Sequence, residues 1–179
     1  MCPHRIFLTG EPGCGKTTVI KKVTAALLEQ GVSVGGVISD EIRPYGVRLG
    51  FTVEDLKTHE VGILAHVKQT EGPHVGKYRV NLHDISRVAV RGIERATEDA
   101  EIIIVDELGP MELCSPEFIA AMEKALGSPK HFVGTIHRRA MHPLVKAIRQ
   151  NPGNQIVEVN ARNREAIPRQ IEEQVMSHD

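Results

Sequence analysis

The sequence predicts a three-layer α/β fold, a mainly parallel sheet flanked by helices, with an antiparallel hairpin insertion. Three observations predict it. Short β-branched runs alternate with helical patterns, as parallel strands joined by crossover helices require. A glycine-rich stretch, GEPGCGKTT from Gly10 to Thr18, lies between a strand pattern and a helix pattern. The segment 40–81 breaks this rhythm, being rich in Gly, Thr and Val without a good helical stretch.

The first strand is read over 4–9, and the helix over 16–30 follows it, with Val19, Ile20, Val23, Ala26 and Leu27 on one face. The second strand, 33–39, leads into the insertion. Turns at Pro44-Tyr45-Gly46, Lys57-Thr58 and Glu71-Gly72-Pro73 divide the insertion into hairpin strands. A helix over 84–99 returns the chain to the third strand, 101–106. Helix 116–126, strand 131–135, helix 140–149, strand 155–159 and helix 163–176 complete the alternation. No repeat or linker divides the chain, so 1–179 is read as a single domain.

Gly10, Gly15, Lys16 and Thr17 match the spacing G-x-x-x-x-G-K-[ST] of a P-loop. A ring of inward-pointing backbone N–H groups at a helix N-terminus wraps a phosphate there, and side chains at the glycines would block it. Glu11, Pro12, Gly13, Cys14 and Thr18 complete the nucleotide-binding loop; Pro12 stiffens it and Gly13 lets it turn. Lys16 is placed against the β and γ phosphates, and Thr17 is a ligand for Mg²⁺ between them.

The second half of such a site is a carboxylate at the end of a buried strand. Ile102-Ile103-Ile104-Val105 runs into Asp106-Glu107 and supplies it. Ligand sites of open parallel sheets lie outside the carboxyl ends of the strands, so Asp106 and Thr17 are expected to hold the metal from two sides. Glu107 is read as the base that activates water, which favours hydrolysis over transfer. Charge on the γ-phosphoryl group calls for an arginine, and Arg138 or Arg139 after the fourth strand is expected to supply it. Thr135 is placed to meet the attacking water. Asn163 and Arg164, after the last strand, are read as nucleotide contacts, with Asn163 also suited to cap the final helix. Gly109 recreates a D-x-x-G spacing, a weak signal, and the guanine-reading N-K-x-D is missing from the sequence.

Composition narrows the partners. The net charge of −1 supplies no broad basic field and the aromatic content of 3% few stacking platforms, so nucleic acid is disfavoured. No stretch approaches a membrane span or a secretory signal, which predicts a cytoplasmic protein with no membrane partner. Cys2, Cys14 and Cys114 are an odd set without C-x-x-C pairing, and they argue against a disulfide framework. The nine histidines show no zinc spacing, and His137 and His142 are read as surface or packing residues.

DELGPMEL from Asp106 to Leu113, with GEPGCGKTT, HRR at 137–139 and NRE at 163–165, resembles the THEP-type nucleoside-triphosphatases over essentially the whole chain. The resemblance implies a RecA-like P-loop NTPase fold and Mg²⁺-dependent hydrolysis of several nucleoside triphosphates (ATP, GTP, CTP, TTP) with low base specificity. The expected state is a monomer. The family pattern lands on Gly10, Gly15, Lys16, Thr17, Asp106 and Glu107. Glu165 stands where many relatives have aspartate. Two other readings stay open: a nucleotide or nucleoside kinase whose acceptor pocket is the 40–81 insertion, and a nucleic-acid-stimulated ATPase.

Overall fold

A computed structural model describes residues 3–177; Cys2 lies outside them. β1 (Arg5–Thr9) enters the glycine loop and α1 (Lys16–Glu29) leaves it. β2 (Val34–Ile42) runs on into the insertion strands β3 (Gly50–Asp55), β4 (Val61–His66), β5 (His74–Val75) and β6 (Tyr78–Val80). Next come α2 (Leu82–Asp84), a widened π-helical stretch (Ile85–Val90) and α3 (Arg91–Asp99). β7 (Ile102–Leu108), α4 (Pro116–Gly127), β8 (His131–Ile136), α5 (Pro143–Gln150), β9 (Gln155–Glu158) and α6 (Ile167–Met176) follow.

These strands form one nine-stranded sheet of order β5-β6-β4-β3-β2-β7-β8-β1-β9. Its half from β2 to β9 is parallel, and β3 to β6 extend it antiparallel beyond β2. This is a RecA-like order, with β8 lying between β1 and β7. The carboxyl ends of β1 and β7 are thus two strand spacings apart, about 10 Å. Side chains from the two ends can meet across that gap.

Strand alternation builds a core on each face. Ile6, Leu8, Ile102 and Ile104 pack with Ile20, Val23 and Leu27 of α1 and with Ile167, Ile171 and Val175 of α6. Phe7, Ile103, Val105, Phe132 and Ile136 point the other way, toward Ile93 of α3, Phe118 of α4 and Val145 of α5. Burying each of the larger side chains contributes roughly 1.5–3 kcal/mol.

The element boundaries differ from expectation where a local device decides them. α5 starts at Pro143 and not at 140, because the His142 ring accepts the Leu144 N–H at 3.1 Å and Pro143 suits a first helical turn. α6 starts at Ile167 and not at 163, because residues 160–166 are drawn into turns. One hairpin lacked a sequence signal: β5 and β6 close tightly across Gly76-Lys77, and β6, not β5, pairs with β4.

Candidate active site

The glycine loop is built around backbone that side chains would spoil. Gly15 caps α1 in the left-handed region at φ 104° with no side-chain cap, and no acidic residue occupies the first turn. The opening N–H groups of α1 are left for an anion. At Gly10 a Cβ would stand 2.7 Å from the Val159 carbonyl oxygen and 2.8 Å from Cys14 Sγ, so only glycine lets the loop close on the strand beside it.

Lys16 is folded over this loop. Its ammonium donates to the carbonyls of Gly10 at 3.2 Å and Glu11 at 3.4 Å. These are weak partners that a phosphate can replace. Pro12, Gly13 and Thr18 are exposed on the loop and at the start of α1. Cys14 Sγ lies 3.9 Å from the ammonium, the longest of the contacts Lys16 makes.

Thr17 and Asp106, 89 positions apart in sequence, meet: the threonine hydroxyl donates to Oδ2 at 2.8 Å. Thr135 donates to the other carboxylate oxygen, Oδ1, at 2.6 Å. Thr135 therefore holds Asp106, where a contact to the attacking water was expected. Ser39 of β2, just beyond the stretch paired with β7, adds a third brace by donating to the Asp106 main-chain carbonyl at 2.7 Å. Asp106 is 3% exposed. Burial raises its pKa, against the lowering effects of the Thr135 and Thr17 hydroxyls and the Lys16 charge.

Glu107 follows directly. Burial first, then the charge of Asp106, pushes its pKa up to about 7, with Lys16 pulling the other way. A carboxyl poised there is a base near neutral pH. Behind it sits Glu112, 6% exposed. Its pKa is well above the ordinary carboxylate range through burial and then through Glu107, and its carboxyl accepts the Gly109 N–H at 3.2 Å. The Gly109 N–H is thereby taken, so the D-x-x-G spacing leaves no free donor.

The two candidate arginines differ. The Arg138 guanidinium pairs with Glu11 of the loop at 2.6 Å and reaches Glu158 at the end of β9 at 3.6 Å. Arg139 has no ion-pair partner among the described residues and is exposed. The loop after β9 also comes to the site. A Cβ on Gly15 would lie 3.4 Å from Arg164 Cδ, so Arg164 runs along the start of α1. Its Nε is 3.9 Å from Glu165, whose other partner is Lys22 of α1 at 2.8 Å. Asn163 does not cap α6: its side chain accepts the Asn160 N–H and donates to the Glu158 carbonyl, each at 2.8 Å, and it braces the loop instead. The capping position of α6 is Ala166, without a side-chain bond.

Sequence reasoning passed over three residues here. Ser39 carried no motif, and only the pairing of β2 with β7 brings it to Asp106. Glu112 stood inside DELGPMEL without an assigned task. His137 was read as surface or packing; burial first, then the Lys16 and Arg139 charges, lower its pKa. Its position two residues beyond Thr135, on the same face of the strand, was a usable signal.

Among the described residues no helix is long and apolar enough to cross a membrane. A family model described as NTPase matches residues 5–172. Nucleoside-triphosphatase THEP1 of Thermofilum pendens is 40% identical over 178 residues, covering 99% of this chain and 98% of that relative. The crystal structure of THEP1 from the hyperthermophile Aquifex aeolicus superposes with a TM-score of 0.86 at 33% identity, over 97% of this chain and 99% of that one. The solution structure of a human cancer-related nucleoside triphosphatase gives 0.83, also at 33% identity, over 98% and 99%. Matched almost end to end by a family model and by full-length relatives, the chain belongs to the NTPase family of THEP1-type nucleoside-triphosphatases.

Proposed function

We propose that the chain is a Mg²⁺-dependent nucleoside-triphosphate phosphohydrolase of low base specificity, which releases a nucleoside diphosphate and phosphate. The observation that carries this reading is the meeting of Thr17 and Asp106 outside the carboxyl ends of the strands, with Glu107 next along. One hydroxyl and one carboxylate are hard oxygen donors of the kind Mg²⁺ takes while keeping waters and phosphate oxygens, so the residues fit the ion. Thr17 and Asp106 would hold it, and it would supply neutralising charge to the β and γ phosphates.

This chain's own residues do the rest. The loop N–H groups and Lys16 bind the β and γ phosphates. Glu107 accepts a proton from water as the water oxygen bonds to the γ phosphorus, and the bond from that phosphorus to the bridging oxygen breaks. The diphosphate leaves with the bridging oxygen, and the proton passes from Glu107 to solvent or product phosphate. Arg139, with no carboxylate on it, is the better placed arginine to meet charge on the γ-phosphoryl oxygens. Arg138 is engaged by Glu11 and serves the loop. Arg164, alongside Gly15, flanks the nucleotide without reading base edges, which suits broad base tolerance.

The insertion strands extend the sheet sideways from β2 and form no separate acceptor lobe, which favours water over a kinase acceptor. The test is phosphate release from ATP, GTP, CTP and TTP by the purified chain, with and without Mg²⁺, alone and with added nucleosides, monophosphates or single-stranded DNA. Release without additives, lost on removing Mg²⁺ and similar across the four bases, is expected. Release only with an additive would replace hydrolysis by a kinase or a nucleic-acid-stimulated reaction. In the same assay Arg139→Ala should lose far more turnover than Arg138→Ala; the reverse would exchange their roles.

A further inference from the structure

Just past β8 stands a residue for which the reaction above gives no task. Along this strand Phe132 and Ile136 face the core under α3 and α4, while Val133 faces α1. Thr135, on the α1 side, bonds Asp106. His137 is the next residue on that side and stands about 6–7 Å further along, beyond the carboxyl edge of the sheet. Alternation continued one residue past the strand therefore sets it on the side where Thr135 meets Asp106.

The backbone at this point is fixed. The His137 N–H donates to the Leu108 carbonyl at 3.0 Å, prolonging the β7–β8 pairing. The Arg149 guanidinium donates to the carbonyls of His137 at 3.5 Å and Arg138 at 3.3 Å. The ring is set as well: Nδ1 accepts the Arg139 N–H at 3.3 Å, so the neutral imidazole carries its proton on Nε2. Burial first, then Lys16 and then Arg139, holds this histidine below its ordinary pKa. Among the described residues no acceptor meets Nε2. A half-buried donor thus stands with an ammonium and a guanidinium beside it, and the group that satisfies all three is an anion.

We infer that His137 is a further catalytic residue of this site, its Nε2–H donating to a γ-phosphoryl oxygen of the bound triphosphate. The inference rests on the phosphohydrolase reading and adds a means of telling a triphosphate from a diphosphate. The product lacks the group that His137 holds, so the histidine favours substrate and the charge that builds on it while leaving the diphosphate free to depart.

The experiment compares wild type, His137→Ala and His137→Gln, with the full chain and Mg²⁺ throughout. It measures kcat and KM for ATP, and by calorimetry the affinities for ADP and for the non-hydrolysable β,γ-imido analogue of ATP. His137→Ala should bind the analogue roughly tenfold more weakly, keep its ADP affinity, and lose roughly 10²-fold in kcat, the scale for one donor to a developing oxyanion. His137→Gln, which keeps an N–H, should recover part of both losses. Unchanged kcat and analogue affinity in His137→Ala, or an equal loss for ADP, would overturn the inference. If the alanine variant does not fold, His137→Leu fills the space without a donor and makes the same comparison. A wild type that releases no phosphate strikes the phosphohydrolase reading itself; a hydrolysing wild type with an unaffected His137→Ala strikes the histidine alone.

Discussion

Glu107→Gln should leave nucleotide binding intact and slow hydrolysis by roughly 10²–10⁴-fold, the range for loss of a general base. Gln keeps the size and polarity of the side chain but cannot accept the proton of the attacking water. The loop and Lys16, proposed to bind the phosphates, and the Thr17–Asp106 pair, proposed to hold the metal, are unchanged. Binding of a fluorescent triphosphate beside single-turnover phosphate release separates the two effects. Full hydrolysis by the variant would place the base elsewhere.

The same substitution should make the nucleotide-free, metal-free protein more stable above neutral pH. The folded pKa of Glu107, about 7, lies above its ordinary value of 4.5. The folded state therefore binds more protons than the unfolded state between these values, and stability is lost as pH rises through that window. Glutamine does not ionise and escapes this loss, worth on the order of 3 kcal/mol. Thermal unfolding should show Glu107→Gln above wild type at pH 8, with the gap closing toward pH 4.5. Removing one of three crowded acidic groups also relieves Asp106 and Glu112. A variant no more stable than wild type at pH 8 would mean that the carboxyl is not held in the way described.

Lys16→Ala should abolish turnover, by more than roughly 10³-fold, without unfolding the protein. The ammonium is the only cationic group in the loop itself, and its contacts to the Gly10 and Glu11 carbonyls are the kind that phosphate displaces. Removing it withdraws a charge that favours the ionised forms of Asp106 and Glu107 and is proposed to face the γ phosphate. The fold does not depend on it, since it joins neither core. Matching circular dichroism and no phosphate release form the expected pair of results. Near-normal turnover would refute the assignment of the loop.

Both halves of the candidate site were legible because each is a local pattern: GEPGCGKTT names a strand–loop–helix turn, and IIIVDE names a buried strand with acids at its end. Their meeting was expected from general rules about sheet edges, and the fold places the two together. What escaped was everything that depends on which strands are neighbours. Ser39 and Thr135 act on Asp106 of another strand, and nothing within ten residues of either says so. Strand ends were also misjudged where pairing continues past the motif, as in β2 to Ile42 and β7 to Leu108. The widened helix at Ile85–Val90 lies against β3 and β4, a placement that periodicity does not report, and the tight turn at Gly76-Lys77 uses the positive φ of Gly76. Asn163 has the side chain of a helix cap, but the loop ahead of α6 takes both its donor and its acceptor.

The most direct test of the central claim, that water activated at Glu107 attacks the γ phosphorus, is hydrolysis of ATP with Mg²⁺ in ¹⁸O-labelled water, with both products read by mass spectrometry. One labelled oxygen is expected in each released phosphate, none in ADP, and the same pattern for GTP. Label in the diphosphate would put the attack on the β phosphorus, and unlabelled phosphate would mean that the γ-phosphoryl group leaves by a route without attacking water; either result would contradict that claim.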